Sequence, residues 1–412
     1  MKIVIVGAGP AGVTVAETVR QYDDEAEIVL ITAEPYPPYA PPAIVDYFLT
    51  GQETHLWKGM DLPERLGLEW RPDTLVTELR PERKKIVTEA GDAIGYDKLV
   101  IASGSRLYAP VEGSDRPGIC NFKSLTAAEE LLDEVKSEMA KSALIVGAGF
   151  IGVEIALLLA QMGLQVTQIE ALDRVMPRML DAESAEIAVE ILRDRGVDVR
   201  LNTTGVAFLG EERAESIELE SGQTLTADLL VAATGVKPNI EFLEGSGVET
   251  DWGVIVDDYL STTIPDVYAA GDVAEAKDRI TGERSVHAIF PNAVAQGQVA
   301  AYNVLGFEIA YEGADSMNSL KHLGLPILAV GALEGDEVLR VRRGDVLRKV
   351  CLTDDQIVGF RLVGDVSAGG ILRSLMIRRS DIRPIKDKLL DPNFGMGYLY
   401  SVSETAGLAI QT

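Results

Sequence analysis

Unbroken aliphatic runs show where this chain must bury strands. KIVIV begins at Lys2 and ALIV at Ala143, and each leads into a glycine cluster and then an Ala-rich segment carrying Val or Leu at helical spacing. A strand apolar on both faces belongs inside a parallel sheet, because helices must cover both of its sides. EIVLI from Glu27 and QVTQI from Gln165 supply the next strand of each unit. KLVIASGS, Lys98 to Ser105, is a further buried strand that ends in small residues, as needed where backbone meets a ligand.

The same reading places the other elements. Thr126 with Glu129 matches a capping box for a helix running to about Lys141, and a second helix from Ser184 to Arg195 stops at Gly196. VDVRL, ESIELE, a turn at SGQ and ADLLVAATG close the second unit, and VKPN leads out of it. From about Gly313 the pattern changes to alternation: KVCLTDDQIVGFRLVG reads as a hairpin turning at Thr353 to Gln356, followed by a helix over ILRSLMI.

The glycine clusters carry the first chemistry. Gly7, Gly9 and Gly12 recur 140 residues later as Gly147, Gly149 and Gly152. Each triad needs one glycine for a tight turn, one so that backbone can approach a pyrophosphate, and one for close packing of helix on strand. A carboxylate at the end of the following strand can accept hydrogen bonds from ribose hydroxyls, and Glu34 and Glu170 stand there. The chain therefore reads as a holder of two dinucleotides. Glu170 would repel a 2′-phosphate, which favours NADH over NADPH, with Arg174 read as a solvated loop residue.

Composition narrows the picture. The 412 residues suffice for two or three domains, and the 47% hydrophobic and 25% charged content is that of a soluble globular chain. No run approaches the roughly 18 apolar residues of a membrane span, and the apolar start leads into GAGPAG rather than a cleavage site, so a cytoplasmic protein is expected. Lys and Arg number 38 against 64 Asp and Glu, a formal charge of -26 that repels phosphate backbones and argues against nucleic acid as a partner. The acidity itself reads as a solubility feature, although a basic protein partner or a salty cytoplasm would suit it too. Cys120 and Cys351 form no local redox or metal motif, and His55 and His322 have no companions at ligand spacing, so no metal is expected.

These residues resemble those of a known family, the FAD- and NAD(P)H-dependent pyridine nucleotide oxidoreductases. Within it the similarity is to rubredoxin reductases, ferredoxin reductases of oxygenases and NADH oxidases. It covers essentially the whole chain and includes IASGS, TGVKPN, YAAGD at Tyr268 to Asp272 and PNAVAQGQVAAYNVLG at Pro291 to Gly306.

The resemblance implies an α/β fold of two Rossmann-like three-layer dinucleotide-binding domains plus a C-terminal α+β interface domain. The FAD domain would be discontinuous, 1–110 and 240–312, with the NAD(P)H domain at 111–239 and the interface or dimerisation domain at 313–412. It further implies that FAD is held by Gly7, Gly9, Pro10, Ala11, Gly12 and Glu34, by Pro41 and Pro42, by Ala102, Ser103 and Gly104, by Gly271 and Asp272, and by Pro291, Asn292 and Ala293. NADH would lie on Gly147, Gly149, Phe150, Ile151, Gly152, Glu170 and Gly235. An Asp such as Asp272 at a strand end otherwise serves as a turn or helix cap.

Five prolines lie between Pro35 and Pro42, in a tyrosine-bearing elbow after Glu34. Relatives pass this segment across the flavin; disulfide reductases place their redox cysteine there. Others carry a lysine near flavin N5 that pairs with a glutamate on the NAD-side helix. Here the elbow has no thiol, Pro41 replaces an arginine, Asp46 stands where that lysine would be, and Glu154 keeps the glutamate position as the candidate catalytic residue. The elbow reads as a rigid flavin wall or, for Tyr36 and Tyr39, as a polyproline connector on the surface. His287 reads as a structural histidine, and Trp57, Trp70 and Trp252 as packing residues.

The implied function is hydride transfer from NADH to FAD and onward electron transfer to a small or subunit-bound redox protein: a rubredoxin, a ferredoxin or an iron-sulfur subunit of a larger complex. Peroxide-forming NADH oxidation, or an NADH-binding sensor or complex subunit, are the alternatives. The missing thiol argues against disulfide, CoA-disulfide and peroxide reduction and against the four-electron reduction of oxygen to water.

Overall fold

The computed structural model describes residues 1–53, 56–137, 140–321, 324–395 and 397; His55 and His322 lie outside them. The described chain forms two compact units, one of Met1–Val146 with Val206–Asp315, the other of Gly147–Gly205 with the residues from Ser316 onward. It is an α/β protein with parallel sheets in the dinucleotide folds and an antiparallel sheet in its C-terminal block.

In the first unit the aliphatic runs make an all-parallel sheet in the order Val267–Ala269, Lys98–Ile101, Lys2–Val6, Glu27–Ile31, Glu69–Arg71. Ile3, Val4 and Ile5 are each fully buried, which for side chains of this size contributes roughly 1.5–3 kcal/mol apiece. Helix Pro10–Tyr22 leaves the central strand, and helix Phe290–Val304 packs against it. That packing is backbone-close: a Cβ at Gly297 would sit 2.5 Å from the Ala11 carbonyl oxygen. The first unit also holds the parallel strands Ile119–Cys120, Leu229–Ala232 and Ser142–Val146.

One helix start differs from expectation. Helix Leu125–Lys136 is capped by Ser124, whose side chain accepts from the Ala127 N–H. Thr126 and Glu129 lie inside the helix and serve the elbow instead. Trp252 packs at the surface: it is 44% exposed, meets Tyr108 edge-on at 5.7 Å and donates its indole N–H to the Val236 carbonyl at 3.2 Å. Trp70 does pack partly buried against the first core, and Trp57 meets Phe290 edge-on at 5.0 Å. His287 lies 3.2 Å from Asp278 and within reach of Ser285, as a structural histidine would.

The second unit pairs strands Gln165–Ile169 and Val197–Arg200 in parallel beside helix Phe150–Gln161. Helix Ala182–Asp194 starts at Asp181, whose carboxylate caps Glu183 and Ser184, and ends before Gly196 at φ +86°. Its C-terminal sheet is antiparallel, with Val346–Thr353 and Gln356–Val363 joined through Asp354 and Asp355 at φ +51° and +55°. Two consecutive left-handed residues match the right-handed twist of a tight hairpin, and Asp tolerates them. Helix Gly369–Ile377 covers this sheet. Arg361, 1% exposed, donates to the carbonyls of Met179, Val330, Gly331 and Ala332, while Lys349 pairs with Asp181 at 2.7 Å.

Candidate functional site

The first glycine turn shows three different reasons for glycine. Gly7 adopts φ +114° and a Cβ there would lie 2.0 Å from the Ala102 oxygen; at Gly12 it would lie 1.9 Å from the Gly7 oxygen. A Cβ at Gly9 would meet no atom within 4 Å. Gly9 opens helix Pro10–Tyr22, so its free side is the ground over a helix N-terminus where backbone N–H groups can receive an anion. The residues present thus fit a pyrophosphate, as FAD would bring.

Ala102 and Ser103 lie against that turn at Gly7, and Gly271 lies beside Ala11 and Ala293. Gly271, at φ +85°, donates its N–H to Gln296 at 2.7 Å, and a Cβ on it would press to 3.0 Å from the Ala11 Cβ and 3.7 Å from that of Ala293. Pro291 lies in the first turn of helix Phe290–Val304 beside Asn292, which is buried and exchanges two 3.0 Å hydrogen bonds with the Asp315 backbone. Ala102 follows strand Lys98–Ile101; Ser103 exchanges hydrogen bonds with Asn239, and Gly104 adopts φ +67° and accepts from the Asn239 N–H. Asp272 pairs with Lys123 at 2.8 Å and accepts from the Ser105 hydroxyl at 2.9 Å.

Glu34 is held by the protein itself. Thr126 donates to it from backbone N–H at 3.0 Å and hydroxyl at 2.9 Å, and the Tyr39 hydroxyl donates at 2.5 Å while accepting from the Leu125 N–H. A carboxylate offers about four acceptor directions, so this arrangement leaves Glu34 about one more. The Tyr36 hydroxyl donates to Glu129, and that bond, with burial, pushes its pKa up to about 12. Burial and the Glu34 charge raise Tyr39 well above its ordinary value. The prolines therefore present two tyrosines that bind the elbow to Glu34 and to the helix beyond it. Pro41 and Pro42 then form a short 3-10 turn leading into helix Ile44–Thr50, with Asp46 in its first turn.

The second glycine turn repeats the first. Gly147, at φ +105°, donates to the Ile169 carbonyl at 2.8 Å, as Gly7 does to Ile31. Gly149 opens helix Phe150–Gln161, with Phe150 and Ile151 half-buried in its first turn. A Cβ at Gly152 would lie 2.4 Å from the Gly147 oxygen. Glu170 accepts from the Ala148 N–H at 2.8 Å and the Leu172 N–H at 3.0 Å, one bond per oxygen, which leaves it about two further acceptor directions for a diol. These groups fit a second dinucleotide. Arg174 lies 3.3 Å from Asp173, Glu154 is buried in helix Phe150–Gln161, and Gly235 begins strand Gly235–Pro238 in the first unit.

Lys123, Ser105, Thr126 and Asn239 were not named as site residues from the sequence. Asn239 closes the TGVKPN motif and could have been found there; Lys123 gave no local signal and Thr126 only a misleading capping one, since their partners are distant in the chain.

Two anion-ready glycine turns, each with an anchored carboxylate, define a two-dinucleotide oxidoreductase of the flavin and nicotinamide class. The chain belongs to the pyridine nucleotide-disulphide oxidoreductase family, whose model matches residues 1–297. It is 29% identical over 408 residues to the NADH-dependent phenylglyoxylate dehydrogenase subunit epsilon of Aromatoleum evansii, covering 96% of each chain. It is 33% identical over 322 residues to an NADH oxidase of Methanocaldococcus jannaschii, covering 76% of this chain and 71% of that one. The ferredoxin reductase for the CYP199A2 system of Rhodopseudomonas palustris superposes with a TM-score of 0.83 at 26% identity, covering 92% of this chain and 95% of that one. Neither cysteine belongs to the elbow: Cys120 lies in strand Ile119–Cys120, its thiol pushed up to about 11 chiefly by burial, and Cys351 is buried in the C-terminal sheet. Among the described residues no helix is long and apolar enough to cross a membrane, and no group of His, Cys, Asp and Glu is placed to hold a metal.

Proposed function

We propose that this chain is an NADH-dependent flavoprotein reductase that passes electrons to a redox protein: a rubredoxin, a ferredoxin or an iron-sulfur subunit. Bound FAD would supply the ability to accept a hydride from NADH and to release electrons one at a time. The observation that carries the reading is the pair of glycine turns with their carboxylates, joined to a thiol-free elbow. Gly9 leaves room for the FAD pyrophosphate, Asp272 with Lys123 and Ser105 forms a polar wall in the same unit, and Glu170 takes the NADH ribose diol. Glu154 is the residue we assign beside the nicotinamide. We assign FAD binding to 1–110 and 240–312, NADH binding to 111–239 and docking or dimerisation to 313–412, in a cytoplasmic protein.

Similarity along its whole length to a dehydrogenase subunit supports a place within a larger complex, and similarity to an NADH oxidase supports oxygen as a second acceptor. The test is anaerobic turnover of NADH with rubredoxin, ferredoxin, a viologen dye and then oxygen. Fast turnover with one protein acceptor is expected. Turnover with oxygen alone, yielding peroxide, would replace the reductase reading with the oxidase one.

A further inference from the structure

The two glycine turns differ in one buried residue. Because Gly7 and Gly147 donate to Ile31 and Ile169 respectively, each at 2.8 Å, the preceding residues Leu30 and Gln168 occupy the same place in the two folds. Both are fully buried. Leu30 has no polar atom, whereas Gln168 donates its side-chain amide to the Gly147 carbonyl at 3.1 Å. Its Oε1 is buried without a partner. Reversing the amide would set two oxygens against each other at Gly147, so the carbonyl fixes its direction.

An orphaned buried acceptor costs stability that a leucine would not. What the amide achieves lies on the other side of the same peptide plane. The carbonyl of Gly147 and the N–H of Ala148 belong to one peptide group; Gln168 holds the first and Glu170 Oε2 accepts from the second at 2.8 Å. The gap between the Gly152 Cβ position and the Gly147 oxygen is 2.4 Å, against 1.9 Å for Gly12 and Gly7, and Gln168 Nε2 lies 3.2 Å from that Cβ position. In the first fold the acid is anchored elsewhere, by Thr126 and Tyr39.

We infer that Gln168 is a positioning residue for the second dinucleotide site: by clamping the Gly147–Ala148 peptide it aims the Glu170 carboxylate at the ribose and sets the opening of the turn. The inference rests on the assignment of NADH to this site. Its signature is opposed effects on fold and ligand, together with dependence on Glu170.

The test uses FAD-loaded enzyme and ADP-ribose as a redox-silent probe, titrated calorimetrically, with Gln168→Leu and the near-isosteric Gln168→Met. Losing one aligning hydrogen bond should weaken ADP-ribose binding about fivefold to tenfold. The KM for NADH should rise by the same factor while kcat changes less than about twofold. FAD content should hold, and the melting midpoint should stay or rise. Placed in a Glu170→Ala background, Gln168→Leu should add less than about twofold, since the carboxylate it aims is gone. Unchanged binding by both single variants, or an equal loss with and without Glu170, overturns the inference. So does a lowered melting midpoint with parallel loss of FAD, which marks a core residue only. Wild-type enzyme that binds no ADP-ribose would overturn the nicotinamide assignment as well.

Discussion

Gly9→Ala and Gly12→Ala place the same methyl group three residues apart in one turn, and the structure gives them opposite consequences. At Gly12 the new carbon would lie 1.9 Å from the Gly7 carbonyl oxygen, an obstacle of backbone that cannot rotate away. Overpacking of this kind costs roughly 1–3 kcal/mol, and a backbone clash belongs at or above the top of that range. At Gly9 the carbon would meet nothing within 4 Å, and the backbone there, φ -73° and ψ -175°, suits alanine. The fold should lose no more than about 1 kcal/mol, the usual difference at a helix N-cap. On the proposed placement of FAD, the Gly9 methyl would meet the pyrophosphate. Losing two charge-assisted hydrogen bonds worth roughly 1.5 kcal/mol each would weaken FAD by about a hundredfold. The assay is flavin content after purification, a titration of apoprotein with FAD, and the melting midpoint of each apoprotein. Gly9→Ala should melt with the parent and bind FAD poorly; Gly12→Ala should melt lower. Full FAD affinity in Gly9→Ala would refute the placement of the pyrophosphate.

Three further outcomes are expected. Glu170→Ala should raise the KM for NADH and shrink the NADH-over-NADPH preference by about tenfold or more, since an acceptor and a repelling charge vanish together; steady-state kinetics with both nucleotides checks this, and an unchanged ratio would remove the ribose assignment. Tyr39→Phe should cost about 1–3 kcal/mol by urea unfolding, because it strips Glu34 of a donor and leaves the Leu125 N–H without its acceptor. For Asp181, burial acts to raise the carboxyl but the Lys349 ammonium and Ser184 hold it below its usual range; Arg340 and Lys349 lower Glu183 likewise. Carboxyls depressed in the folded state stabilise it above their unfolded pKa, near about 4, and that contribution fades as pH falls through the folded value. Lys349→Met should therefore melt lower near neutrality and lose less on acidification below about pH 4; an acid limb parallel to the parent's would sink the assignment.

The dinucleotide folds were legible because a doubly buried strand, a glycine turn and a helix leave a pattern within a dozen residues, and the chain writes it twice. The hairpin at Asp354 and Asp355 was legible for the same reason: alternation on both sides fixes where the polar turn must fall. The start of helix Leu125–Lys136 was misread because Thr126 and Glu129 satisfy a local spacing rule, while the force that places Thr126 comes from Glu34, 92 residues away. Long-range partnerships of this kind also hid Lys123 from view. Gln168 could not be weighed by sequence at all, since a polar residue in an aliphatic strand acquires meaning only when its amide is seen on the Gly147 carbonyl. The elbow shows the mixed case: its rigidity was plain from five prolines, whereas the use of Tyr36 and Tyr39 as ties to Glu129 and Glu34 depends on how the folded chain brings these side chains together.

The central claim, that electrons run from NADH through FAD to a redox protein, is tested most directly by anaerobic stopped-flow absorbance of the FAD-loaded enzyme. NADH should bleach the flavin much faster than NADPH does, and a second mix with rubredoxin, ferredoxin or an iron-sulfur partner should restore the oxidised spectrum at a rate that matches turnover. Slow bleaching by both nucleotides, or a long-lived long-wavelength band that no acceptor discharges, would contradict the account and point to a nucleotide-sensing flavoprotein.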